Sequence, residues 1–241
     1  DTGTEWSGHG RYRIRPEPPF TAQRGDQTYL YLGGQSDIPV YNVTDADAPV
    51  YVATIPLEMS GTHDMTIDGN IIFANNEFSG MVAIDATDFA APVSLQRHTA
   101  DYYNHASSVG MAGGRRIVVE GGEGMEANGP GTHLRIFDGD ATSKTFMQQL
   151  GEYATRPETG MHNMIVRDGL VYIAYYQDGL RIVDIDDPAN PVEVGHYNNW
   201  DPVTSFSGPF SGAIGIDLAA DGSIILVNYE GFVSRFRFPP L

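Results

Sequence analysis

The feature that most constrains this chain is that it repeats itself. The stretch HNMIVRDGLVYIAYYQDGLRIVDIDDPANPVEVGHY, from His162 to Tyr197, is followed nearly position for position by HDMTIDGNIIFANNEFSGMVAIDATDFAAPVSLQRH, from His63 to His98. Self-similarity at this period signals a repeat architecture, and each copy reads as four short strands. In the 162–197 copy they are Asn163 to Val166, Leu170 to Tyr175, Leu180 to Ile185 and Val192 to Tyr197. Asp168-Gly169 forms the first hairpin turn, Asp186-Asp187-Pro188 stops the third strand and Pro191 opens the fourth.

Three more units complete the series, giving approximate spans of 20–57, 63–98, 105–153, 162–197 and 212–238. The third carries a Gly-rich insertion, GGEGMEANGPG (121–131), between its second and third strands, which is long enough to lid a site. The fifth has only three strands. A four-stranded sheet of about 40 residues cannot bury both faces alone, so copies must pack on one another, and radial packing makes each a propeller blade. The expected fold is therefore all-β: a single five-bladed β-propeller domain over residues 1–241. The fourth strand of the last blade is expected from GRYRIRPE (10–17), where Tyr12 and Ile14 alternate with Arg11, Arg13 and Arg15. That pairing would close the ring and remove exposed sheet edges.

The run GLRIVDIDDPANPVEVG resembles the LVIVD-repeat proteins, with echoes in IPVYNVTDADAPVYVATI and GMVAIDATDFAAPVSLQ. Those are mostly extracellular or surface-associated bacterial and archaeal propellers. The resemblance implies a propeller and an extracellular or periplasmic location, but no catalytic residues, since the group shares no single chemistry. The third unit departs from the pattern, because LRIFDGDATSKTFMQQL lacks the Asp-Pro and the following Pro.

Composition narrows the partners. Thirty-one acids against 14 bases give a net charge of −17, which opposes nucleic acids and anionic membrane surfaces. No stretch approaches the roughly 18 apolar residues of a membrane span. The absence of cysteine removes disulfides, thiolate nucleophiles and Cys-ligated metals. A start at DTGTEWSGHG is read as a mature N-terminus left by signal cleavage. The expected partner is a small molecule or carbohydrate.

In a blade, the start of the first strand and the end of the second share one face of the disc, near the axis. Three units begin there with histidine: His63, His105 and His162, spaced by 42 and 57 residues. Three converging imidazoles form a site for a divalent transition metal, with zinc first and iron, copper or manganese as alternatives. Recurrence by duplication, with each histidine simply bonding a nearby carbonyl, is the competing explanation. The second-strand ends ANNEF, VEGGE, AYYQD and VNYEG are rich in functional groups, of which Glu77, Glu120, Tyr176 and Tyr229 are the catalytic candidates. Tyr175, Gln177 and Glu230 are further possible contacts. His98 and His196 end fourth strands and are expected to face solvent. The Asp-rich corners after the third strands read as Asx turns, with calcium a less favoured occupant. Two functions follow: a metal-dependent hydrolase or lyase, or a non-catalytic extracellular binding propeller with structural histidines.

Overall fold

The computed structural model describes residues 20–34, 36–57, 61–123, 133–156, 158–198, 200–203, 208 and 210–238. The expected strand over 10–17, His9 and most of the Gly-rich insertion lie outside these residues. Among the described residues the chain is all-β, without helix, and its strands form five separate antiparallel sheets in sequence order. The first sheet comprises β1 (Phe20–Arg24), β2 (Gln27–Tyr31), β3 (Asp37–Asn42) and β4 (Val50–Pro56). The second comprises β5 (Asp64–Asp68), β6 (Ile71–Asn75), β7 (Met81–Asp85) and β8 (Val93–His98). The third comprises β9 (Tyr103–Ala112), β10 (Arg115–Glu123), β11 (Leu134–Asp138) and β12 (Gln149–Tyr153). The fourth comprises β13 (Met164–Arg167), β14 (Leu170–Ala174), β15 (Leu180–Asp184) and β16 (Val192–Tyr197). The fifth has three strands, β17 (Ala213–Leu218), β18 (Ser223–Asn228) and β19 (Val233–Arg237).

The repeat is visible in the register as well as in the sequence. The third and fourth strands of the first four sheets each slip once, at Val40/Tyr41, Ala83/Ile84, Ile136/Phe137 and Ile182/Val183. Such bulges add twist to the outer part of each sheet. Asp168-Gly169 makes the expected two-residue turn, both residues having positive φ (51° and 79°).

The first strands lie side by side in order, β1 beside β5, β5 beside β9, β9 beside β13 and β13 beside β17. Because side chains alternate across a strand, each middle sheet buries both faces. Ile117 and Val119 of β10 pack towards the fourth sheet with Val171 and Ile173, while Val118 packs towards the second with Phe73 and Met81. Comparable layers join the first sheet to the second and the fourth to the fifth. The core is thus a succession of apolar layers between sheets.

Polar corners complete each repeat. Asp45, Asp85, Asp88, Asp138, Asp140, Asp184 and Asp187 each accept the backbone N–H two residues on, the Asx turns expected from the sequence. His98 departs from expectation. It is half-buried against the Phe137 ring, with Nε2 3.2 Å from the Tyr102 hydroxyl, because the bulged β7–β8 ladder lays the end of β8 against the third sheet. His196 is exposed.

Candidate metal centre

The three repeat-initial histidines come together at one end of the first strands. His63 and His162 occupy equivalent places, each donating its backbone N–H to the last residue of its own second strand, Asn75 (2.8 Å) and Ala174 (2.9 Å). His105 lies within β9. The ring centroids of His63 and His105 are 4.4 Å apart, and those of His105 and His162 are 4.2 Å apart. His105 is the buried middle member. Burial, then the adjacent His162 and His63, hold its pKa well below the ordinary imidazole value, which keeps it in the neutral, ligating form.

A fourth group faces the row. Glu123, at the end of β10, places Oε2 3.6 Å from His105 Nε2 and Oε1 3.8 Å from His162 Nε2. Ligand atoms of His63, His105 and Glu123 all lie within 4.8 Å of one another. Glu123, rather than Glu120, is the VEGGE carboxylate that reaches the histidines. β10 has nine residues where β6 and β14 have five, and opposite Gly121 and Gly122 the partner strand β9 carries one extra residue, His105. The Gly-Gly in VEGGE was the available signal of an irregular pairing.

Hydrogen bonding fixes what these groups can do. His162 Nδ1 lies 2.5 Å from the Ile214 carbonyl oxygen, an acceptor only, so Nδ1 carries a proton and Nε2 is the atom left facing Glu123. A carbonyl behind the ring is also the usual support of a ligating histidine. His63, His105 and Glu123, with His162 Nε2 beside the carboxylate, could hold a divalent transition metal. The Tyr176 hydroxyl donates to Glu123 Oε1 and orients it. Burial, followed by this carboxylate, pushes the Tyr176 phenol well above its usual range, so it stays a donor.

The other candidates lie in different settings. Glu77 accepts a hydrogen bond from Tyr103 (3.2 Å), whose ring packs edge-on against His63. Glu77 and Tyr176 hold equivalent turn positions with positive φ (49° and 31°), and each bridges to the next sheet, at Asn104 and Ala213. Non-glycine residues in that region are uncommon, and their backbone is held here by both sheets. Tyr229 is exposed, near enough to Tyr176 to raise its pKa. Glu120 is away from the histidines. It is fully buried, accepting from Tyr102 and Asn104, with Arg135 Nη1 at 3.5 Å. Burial, opposed by those donors, raises its pKa to about 7.

No curated protein sequence matches the chain. Among solved structures it is similar to a putative 6-phosphogluconolactonase from Bacteroides fragilis, at 12% identity and a TM-score of 0.66, covering 91% of this chain and 66% of that one. It is also similar to a periplasmic gluconolactonase from Pseudomonas aeruginosa, at 11% identity and a TM-score of 0.63, covering 91% and 72%. BamB from Moraxella catarrhalis matches at 11% identity and a TM-score of 0.61, covering 91% and 56%. The chain thus spans only part of these longer proteins, and at such identities the likeness is one of fold. A family model, the LVIVD repeat, matches residues 162–199. Residues 162–199 are thus an LVIVD repeat, consistent with an LVIVD-repeat β-propeller, within an all-β chain that shares its fold with these structures.

Proposed function

We propose that the protein is a metal-dependent hydrolase of small molecules, with His63, His105, His162 and Glu123 holding a divalent transition metal, zinc first. The observation that carries this reading is the convergence of three imidazoles on a carboxylate, two of them facing it through Nε2. A divalent cation there supplies Lewis-acid activation of water and of a carbonyl group. Among the chain's own groups, Tyr176 fixes the Glu123 carboxylate, and Tyr229 stands exposed beside it for substrate contact. Glu77, steadied by Tyr103, is the carboxylate assigned to accept a proton as water adds to the substrate carbonyl. The same proton is returned to the leaving oxygen as the C–O bond breaks. Two of the similar structures are named as lactonases, which makes cyclic esters the first compounds to test.

In this reading the five sheets form one ring of five blades, and residues 10–17 supply the strand missing beside β19. Export to the periplasm or the cell exterior fits the LVIVD repeat and a structural relative named as periplasmic.

Metal analysis on protein never exposed to a nickel resin tests the proposal. About one equivalent of transition metal is expected, lost in the folded His63→Ala/His162→Ala variant. Wild-type protein that contains no metal, and whose stability is unmoved by added zinc, iron, copper or manganese, would overturn it.

A further inference from the structure

Aromatic rings extend outward from both ends of the histidine row. On one side Tyr103 packs edge-on against His63 (5.4 Å between centroids), and Phe78 packs edge-on against Tyr103 (5.3 Å). On the other, Tyr176 packs against His162 (5.5 Å), and Phe210 against Tyr176 (5.7 Å). The outermost rings are open to solvent, Phe78 being 66% and Phe210 43% exposed. The Phe78 turn does not need its side chain, because the backbone closes it through Ser79 N to Asn76 O (2.8 Å) and Gly80 N to Glu77 O (3.2 Å). Two phenylalanines held in water on either side of one centre leave apolar surface uncovered.

The charge around these rings has one sign. Glu77, Glu123 and Glu230 sit at this end of the sheets, and Glu230 is held by the Ser211 hydroxyl (2.5 Å) and the Gly212 N–H (3.2 Å). Among the described residues, the arginines that pack on rings do so elsewhere, Arg24 on Tyr29 and Phe89 and Arg135 on Tyr102. Arg156 and Arg181 are engaged by Asp178 and Glu193. In the metal-free protein a phosphorylated or carboxylated ligand would meet like charge there.

We propose that Phe78 and Phe210 each form the wall of a stacking subsite, one on either side of the His/Glu centre, selecting an uncharged molecule with a flat apolar ring face. This rests on the hydrolase reading for the chemistry that follows binding, but the binding itself is separable from the metal. The ring face is either an aromatic ring or the C–H face of a pyranose, and both stack on phenylalanine.

Calorimetric titration of metal-free protein with phenyl β-glucoside, methyl β-glucoside and glucose 6-phosphate, and of zinc-loaded protein with the two uncharged glucosides, tests this. In the metal-free protein the uncharged glucosides are expected to bind and glucose 6-phosphate to bind most weakly. A tighter phenyl glucoside assigns the subsite to an aromatic ring, and equal affinities assign it to the sugar face. The Phe78→Ala/Phe210→Ala variant should weaken the uncharged probes about tenfold with zinc content unchanged, and Phe78→Tyr should retain binding. Tighter binding of glucose 6-phosphate, no binding of either glucoside at millimolar concentration, or an unaffected double variant would overturn the subsite. Phe-dependent glucoside binding by protein that takes up no zinc would leave the subsite standing and overturn the metal centre alone.

Discussion

Two carboxylates on one strand, Glu120 and Glu123, are separated by Gly121-Gly122 and meet opposite surroundings. Glu120 is enclosed by groups that satisfy it: the Tyr102 hydroxyl, the Asn104 amide and the Arg135 guanidinium, itself stacked 3.8 Å over the Tyr102 ring. Glu123 has a single hydroxyl donor, Tyr176, and otherwise faces imidazole nitrogens. A carboxylate ringed by donors and a cation has its partners in place, whereas one that faces imidazole nitrogens can share them with a metal. Burial alone therefore does not mark a functional acid. In the proposed function the more buried of the two is structural, and the half-open one belongs to the site.

Three substitutions sharpen that contrast. The largest effect is expected for Glu123→Gln, which should weaken zinc binding on the order of a thousandfold, beyond the ~10–100-fold typical of outer-shell changes. Glu120→Gln should alter zinc affinity by less than about threefold. Competition with a chelating dye measures both, and equal losses would erase the distinction.

The second effect is on stability against pH. Burial raises the Glu120 pKa from 4.5 to about 7, so the folded state holds this proton more tightly than the unfolded chain does. Its stabilising contribution is complete below about pH 4.5 and is lost as the pH rises through 7, a change of about 3 kcal/mol. Glutamine does not titrate. Urea unfolding of Glu120→Gln across that range should show the loss removed, while Glu123→Gln keeps it. Parallel wild-type and Glu120→Gln curves would refute the assignment.

The smallest effect is expected at Tyr176. Tyr176→Phe removes the hydroxyl that orients Glu123 and should weaken zinc binding by about tenfold, with little change in urea midpoint. An unchanged affinity would show that Glu123 is positioned by the strand alone.

Much of the fold was legible because a period of two and recurring turn residues are local signals. Leu170, Leu180 and Val192 begin strands where the pattern placed them, and the shared turn signals sorted the strands into sheets. The histidines were legible for a related reason, since repetition puts equivalent residues at equivalent places. Glu123 was not, because β10 runs on past the length of β6 and β14, opposite a β9 bulge at His105 that leaves no trace in a period-two count. His98 was misread because its environment comes from Phe137 and Tyr102, which belong to a different repeat. The tautomer of His162 was equally hidden, being set by the carbonyl of Ile214 in the next sheet.

The histidine row also bears on how such a chain can unfold and change over generations. Sheets that touch mainly their sequence neighbours form a nearly one-dimensional array, in which each copy can loosen with only its flanks for restraint. Ligands drawn from copies two, three and four would tie those three into one cooperative block, with the third as its hub. Deleting or exchanging the first or fifth copy would spare the ligands, whereas losing the third would remove both His105 and Glu123. Selection on the metal ligands would then fall on the three middle copies.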